Sequence, residues 1–186
     1  MTQSQLIQHI SAFDRPFRGS KLRNELKQQS FTLRELVDLT FYPDQQIAVK
    51  ASRLLQTMLV KFPENYCEDI EYLIKRTGEV DFNSCKRHYA KIIMHITSPE
   101  VPKEVRSKVK EINFEHIVEL CFNWLKDPKM LVSVRGSASE ALFNLRHRYP
   151  WIAEDLSRQL ENIMPNAEPL LAAKGSMILS YLHCED

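Results

Sequence analysis

Six histidines, four cysteines and a scatter of hydroxyls are the side chains of this 186-residue chain with types suited to chemistry, and their spacing decides whether they do any. His88 and His95 stand seven residues apart on one helical face, yet no carboxylate or thiol falls at the spacing of a metal set such as H-E-x-x-H. His183-Cys184-Glu185-Asp186 offers ligand types for adventitious zinc, but at a terminus where a helix frays. Cys67, Cys85, Cys121 and Cys184 are far apart and form no C-x-x-C pair, which reads as reduced thiols of a cytoplasmic protein. Cys121 lies among apolar helical residues and reads as a packing group rather than a nucleophile. No G-x-S-x-G nucleophile elbow is present, and four glycines leave no phosphate-cradling loop of the G-x-G-x-x-G or G-x-x-x-x-G-K-[ST] type. No catalytic, cofactor-binding or metal residue is assigned on these grounds, and no cofactor is expected.

The elements around these residues are helical. Leu6, Ile7, Ile10 and Phe13 make one stripe at intervals of three to four; Ile117, Leu120, Cys121, Trp124 and Leu125 make another. Breaks of a few residues fall at Tyr42-Pro43-Asp44, Phe62-Pro63, Thr97-Ser98-Pro99, Asp127-Pro128, Tyr149-Pro150 and Pro165-Asn166, as between packed antiparallel helices. Thr32 and Glu35 have the spacing of a capping box. With 44% hydrophobic and 26% charged residues the chain has the composition of a soluble globular domain. No 18-residue apolar run suggests a membrane span, and the start lacks the basic and apolar regions of a secretory signal.

One phrase recurs. Pro43 leads to Val49-Lys50-Ala51-Ser52, Pro128 to Val134-Arg135-Gly136-Ser137 at identical spacing, and Pro165 to Ala173-Lys174-Gly175-Ser176 two residues later; Cys85-Lys86 is a degenerate copy. On these residues the chain resembles the HEAT and armadillo-like helical repeats, over roughly residues 31 to 186. The resemblance implies an all-α, right-handed α-α superhelix of about four helix pairs in one domain spanning 1-186, with residues 1-30 as N-terminal capping helices. Lys103 to Lys110 departs from the pattern as an inserted basic turn or short helix. Small residues at Ala51, Gly136 and Gly175 are expected to let helices approach closely. The resemblance also implies a structural ladder in which Lys50, Lys86, Arg135 and Lys174 pair with a turn carboxylate or with carbonyls of the next repeat, Asp44 and Asp127 being available for that role.

Net charge is only +1, with 25 Lys plus Arg against 24 Asp plus Glu, unlike a dedicated nucleic-acid binder. Its distribution is uneven. The second helix of each pair, with its preceding turn, carries eleven cations against four acids, and the first helix five against twelve. Two readings compete: helix-dipole placement of acids at helix starts and cations at helix ends, or a positive inner face that meets an acidic protein surface. On the second reading the protein is a non-catalytic interaction module or scaffold, with Arg53, Arg87, Arg146 and Arg148 as partner-binding residues. Charge reversal at Arg53, Arg87 and Arg148 together should then weaken binding and leave the melting curve nearly unchanged.

The alternative is a nucleic-acid-binding protein similar to the HEAT-like alkylpurine DNA glycosylases, for which Trp124, Trp151, Tyr89, Tyr149 and Arg146-His147-Arg148 offer residue types. Both Trp, however, fall on or beside first helices, the wrong layer for a groove. The G-S-S-x-M-P-x-K-x-N signature of the fumarase and argininosuccinate lyase superfamily stops matching at once at Gly175-Ser176-Met177. The last helix, Leu170 to Leu182, is apolar through Leu170, Leu171, Met177, Ile178, Leu179 and Leu182, and is expected either to pack back on the preceding pair or to form a weak homodimer.

Overall fold

A computed structural model of the chain describes residues 3–11 and 31–185. These residues form ten α-helices and no strand. They are α1 (Gln3–Ser11), α2 (Leu33–Leu39), α3 (Gln45–Lys61), α4 (Ile70–Arg76), α5 (Asn83–Ile96), α6 (Lys103–Glu111), α7 (Glu115–Lys126), α8 (Val132–Leu145), α9 (Trp151–Ile163) and α10 (Pro169–Glu185). Most of the expected capping segment, residues 12–30, lies outside the described residues.

Local chemistry sets the helix starts. The Thr32 hydroxyl accepts from Glu35 N at 3.2 Å while the Glu35 carboxylate accepts from Thr32 N at 2.7 Å, closing the capping box of α2. The backbone donor of Thr32 is also the main reason the Glu35 carboxyl is held below its usual range. Asp44 caps α3 by accepting from Gln46 N and Ile47 N. Pro63, in the turn after α3, and Pro150, before α9, stand where a missing N–H costs nothing.

The architecture is solenoid-like, with α2/α3, α7/α8 and α9/α10 as packed pairs and α4 and α5 standing in succession as the second pair without packing closely on each other. Second helices form an unbroken row in which α3 packs on α5, α5 on α8 and α8 on α10, while α1 packs on α3 at the N-terminal end of that row. We call this row of second helices the inner layer and the first helices the outer layer. The second pair is irregular, because short α4 sits between α2 and the inserted α6. α6 buries Val105 and Val109 against the turn Pro63–Asp69, α4 and α5.

A single apolar core runs through the stack, including Leu36, Leu55, Ile74, Ile93, Phe114, Leu125, Leu142 and Leu156. Each such side chain contributes about 1.5–3 kcal/mol on burial. Tyr89 is fully buried in the same core, and its hydroxyl lies 2.7 Å from Thr40 Oγ1, which itself donates to Val37 O at 2.7 Å. The Tyr89 hydroxyl therefore donates to Thr40 and ties α5 to the end of α2; burial pushes its ionisation well above the ordinary range.

The small residues differ in purpose. A Cβ on Gly136 would meet Lys174 Cδ at 3.7 Å, an ordinary contact, so the packing there does not require a missing side chain. A Cβ on Gly175 would come within 2.7 Å of Met164 Sδ, and there the missing side chain does make room.

Candidate functional site

Helices α3, α5 and α8 carry one carboxylate between them, Glu140. The Lys174 ammonium donates to it and joins α10 to α8. Arg53, near the middle of α3, and Arg87 and Lys91, on α5, are exposed and have no carboxylate partner among the described residues. A groove of 390 Å³ crosses this inner layer, lined by Gln56, Arg87, His88, Lys91, Ser133, Ser137 and Lys174 among others. His88 is 6% exposed. Burial, reinforced by the neighbouring Arg87, Arg53 and Lys91 charges, pushes its imidazole down to about 4. The neutral ring donates from Nδ1 to Gln56 Oε1 at 2.6 Å and accepts from Arg87 Nε at 3.4 Å. His95, on the same helix, is lowered by burial as well.

The four recurring cations occupy equivalent places, four to six residues into their helices, and meet different partners. Lys50 donates to Ser11 O at 3.1 Å, the last carbonyl of α1. Arg135 is buried, donates from Nε to Leu125 O at 3.0 Å, and places Nη1 3.6 Å from the Glu168 carboxylate, just before α10. Lys174 takes Glu140, and Lys86 has no side-chain partner among the described residues. Asp44 and Asp127, expected as ladder acids, instead accept from backbone donors of their own turns, Asp127 from Lys129 N at 2.9 Å. Their side chains are already spent on local capping.

Arg148 also has a different place from the one expected. Its guanidinium donates to Val109 O at 2.8 Å and to Ile112 O at 2.5 Å, between the rings of Phe114 and Tyr149. It clamps the C-terminal end of α6. A charge reversal there removes the clamp, so the expectation of an unchanged melting curve does not hold for Arg148. Arg146 lies over its own Phe143 ring at 3.7 Å and donates to Phe143 O at 2.8 Å. Neither arginine belongs to the groove of Arg87 and Lys91. Both line a second cleft of 670 Å³, where the C-terminal ends of α5 and α8 meet α6. Its basic rim was legible only as two separate runs, Lys103 to Lys110 and Arg146-His147-Arg148.

Cations of the outer layer are mostly paired with its more numerous acids. Arg34 pairs with Asp69, Lys75 with Glu71, Arg76 with Asp38 and Glu79, and Arg158 with Asp155. The aromatic residues offered for a base-binding groove are engaged elsewhere: Trp124 and Tyr89 are buried, Trp151 stacks on Phe122 between α7 and α9, and the Tyr149 hydroxyl accepts from Phe114 N. Cys121 is fully buried, which pushes its thiol up to about 12, and all four cysteines are free. Among the described residues no three His, Cys, Asp or Glu side chains group to hold a metal ion, and no helix is long and apolar enough to cross a membrane. On α10, Leu171, Ile178 and Leu182 are buried, while Leu170, Met177 and Tyr181 are exposed.

No family model matches the chain. Comparison with curated proteins and with solved structures likewise finds no match.

Proposed function

We propose that the protein is a non-catalytic interaction module, a scaffold of HEAT/armadillo-like repeats that receives an acidic surface of another protein on its inner helical face. The observation that carries this reading is the contrast between the layers. Outer-layer cations are largely paired with carboxylates, whereas Arg53, Arg87 and Lys91 on the inner layer have no acid within reach among the described residues. Dipole placement accounts for Lys61, in the last turn of α3, but not for these three. Arg53 and Lys91 sit in mid-helix, and Arg87 stands in the first half of α5, all away from the last turn where the dipole favours a cation. Uncompensated charge of one sign on one face attracts a complementary surface and steers encounter with it. The free, widely separated thiols suit a cytoplasmic location.

The test is capture by tagged wild type and by an Arg53→Glu/Arg87→Glu/Lys91→Glu variant from matched lysates, with and without nuclease. A protein retained by wild type after nuclease and lost by the variant supports the reading. Equal capture by both proteins rejects the inner face. Loss of all material on nuclease treatment transfers the weight to nucleic acid, whose binding should then weaken steeply with salt.

A further inference from the structure

The 670 Å³ cleft at the edge of the stack owes its existence to the inserted helix: α6 contributes Arg106, Val109 and Lys110 to a space otherwise walled by the ends of α5 and α8. Ile96, Pro99, Val109, Phe143 and Leu145 give it an apolar lining. The charged side chains that line it are Arg106, Lys110, Arg146 and Arg148, with His147 beside them, and no Asp or Glu is among its described lining residues. A volume in this range suits a small organic ligand.

The hydrogen-bonding state of the walls narrows the ligand further. Pro99 O accepts from Arg106, Met94 O from Asn144, Phe143 O from Arg146, and Val109 O from Arg148. Leu145 O accepts from the backbone of Arg148 and Tyr149. The carbonyls of four lining residues, Pro99, Val109, Phe143 and Leu145, are thus already engaged, which counts against an extended peptide. What remains is apolar surface, the neutral polar side chains of Thr97, Ser98 and Asn144, and cationic donors, of which the exposed Lys110 has no side-chain partner among the described residues. Such a lining favours a compact apolar body ending in a group that only accepts hydrogen bonds.

We infer that this cleft binds an amphiphilic organic anion, an alkyl or aryl body with a carboxylate or phosphate head, the body lying against Ile96, Val109 and Phe143 and the head against Lys110 and Arg106. The site is separate from the Arg53, Arg87 and Lys91 face, and it stands or falls independently of the protein partner proposed there.

The experiment is a titration of the ¹⁵N-labelled full chain with four ten-carbon probes: sodium decanoate, decyl phosphate, decanol and decyltrimethylammonium, each below its micellar concentration. Saturable amide shifts confined to residues 96–99, 106–110 and 143–148 are expected with decanoate or decyl phosphate, and the tighter of the two identifies the head group. Lys110→Glu, an exposed position, should weaken the anion by about tenfold, through a lost attraction and a new repulsion, while Arg53→Glu leaves it unchanged. Equal binding of decanol or of the cation overturns the anion assignment. No saturable shift with either anion, or shifts mapped outside the cleft, overturns the site, and the wild-type arms decide this even if Lys110→Glu fails to fold.

Discussion

The Arg148 guanidinium donates to the Val109 carbonyl at 2.8 Å, across 39 residues of chain, and so fastens the inserted helix α6 to the turn that follows α8. A side chain that sequence placed on a binding face is a structural clamp. The reason is the chemistry of helix ends: where α6 ends, Val109 O accepts only the long bond from Ile112 N at 3.3 Å, and a forked cation reaches both Val109 O and Ile112 O at once.

Removing that clamp takes the Arg148 donor from Ile112 O and leaves Val109 O only its bond from Ile112 N. Arg148→Ala should cost about 2 kcal/mol, a fall in Tm of roughly 5 °C for a domain of this size. Arg53→Glu/Arg87→Glu should shift Tm far less, because both residues are exposed and unpaired with carboxylates. Thermal melts followed by circular dichroism compare the two proteins directly. Equal melting of Arg148→Ala and wild type would mean that the carbonyls find other donors.

Arg135 is the most buried of the recurring cations, with its side chain 8% exposed. Arg135→Glu should destabilise by about 3–5 kcal/mol, since it buries an unpaired carboxylate near Glu168 and orphans Leu125 O. Arg135→Lys keeps the charge but loses the forked geometry, and should cost about 1 kcal/mol. Urea unfolding measures both. A neutral Arg135→Glu would show that the position is open to water.

The His88 imidazole titrates at about 4 in the folded chain against an ordinary 6.5. An unfolded chain therefore takes the proton first, and this contribution to stability falls as pH drops from about 6.5 to about 4, then stays constant below. Between pH 7 and pH 5 the loss from this one group is about 2 kcal/mol. His88→Gln keeps a neutral hydrogen-bonding group beside Gln56 and should lose less stability over the same interval. Denaturant midpoints at the two pH values provide the comparison; identical losses in both proteins would remove His88 from the acid response.

Several features were readable in the sequence because they depend on neighbours a few residues away. Apolar spacing through Ile117, Cys121 and Leu125 gave a helix, Thr32 and Glu35 its capping box elsewhere, and Pro43, Pro63 and Pro150 the breaks. The recurring phrase around Lys50, Arg135 and Lys174 likewise marked equivalent positions in successive inner helices. What those cations touch was not readable. Glu168 and Glu140 displaced Asp127 and Asp44 as partners because the two aspartates are consumed by donors one turn away, a local competition that a search for complementary charge does not weigh.

The same division holds for the sites. Sequence alone determined that the inner helices are cation-rich and acid-poor, since that follows from which residues each helix contains. Only the tertiary structure decided which cations stay uncompensated, because pairing depends on side chains brought together from elements 30 to 40 residues apart, as with Arg34 and Asp69 or Lys174 and Glu140. It also decided that two basic runs, one on α6 and one after α8, line a single apolar cleft. Helical periodicity fixes which face of a helix is buried; the angle and offset at which an irregular, inserted helix docks are set by packing against the whole stack, and no local pattern encodes them.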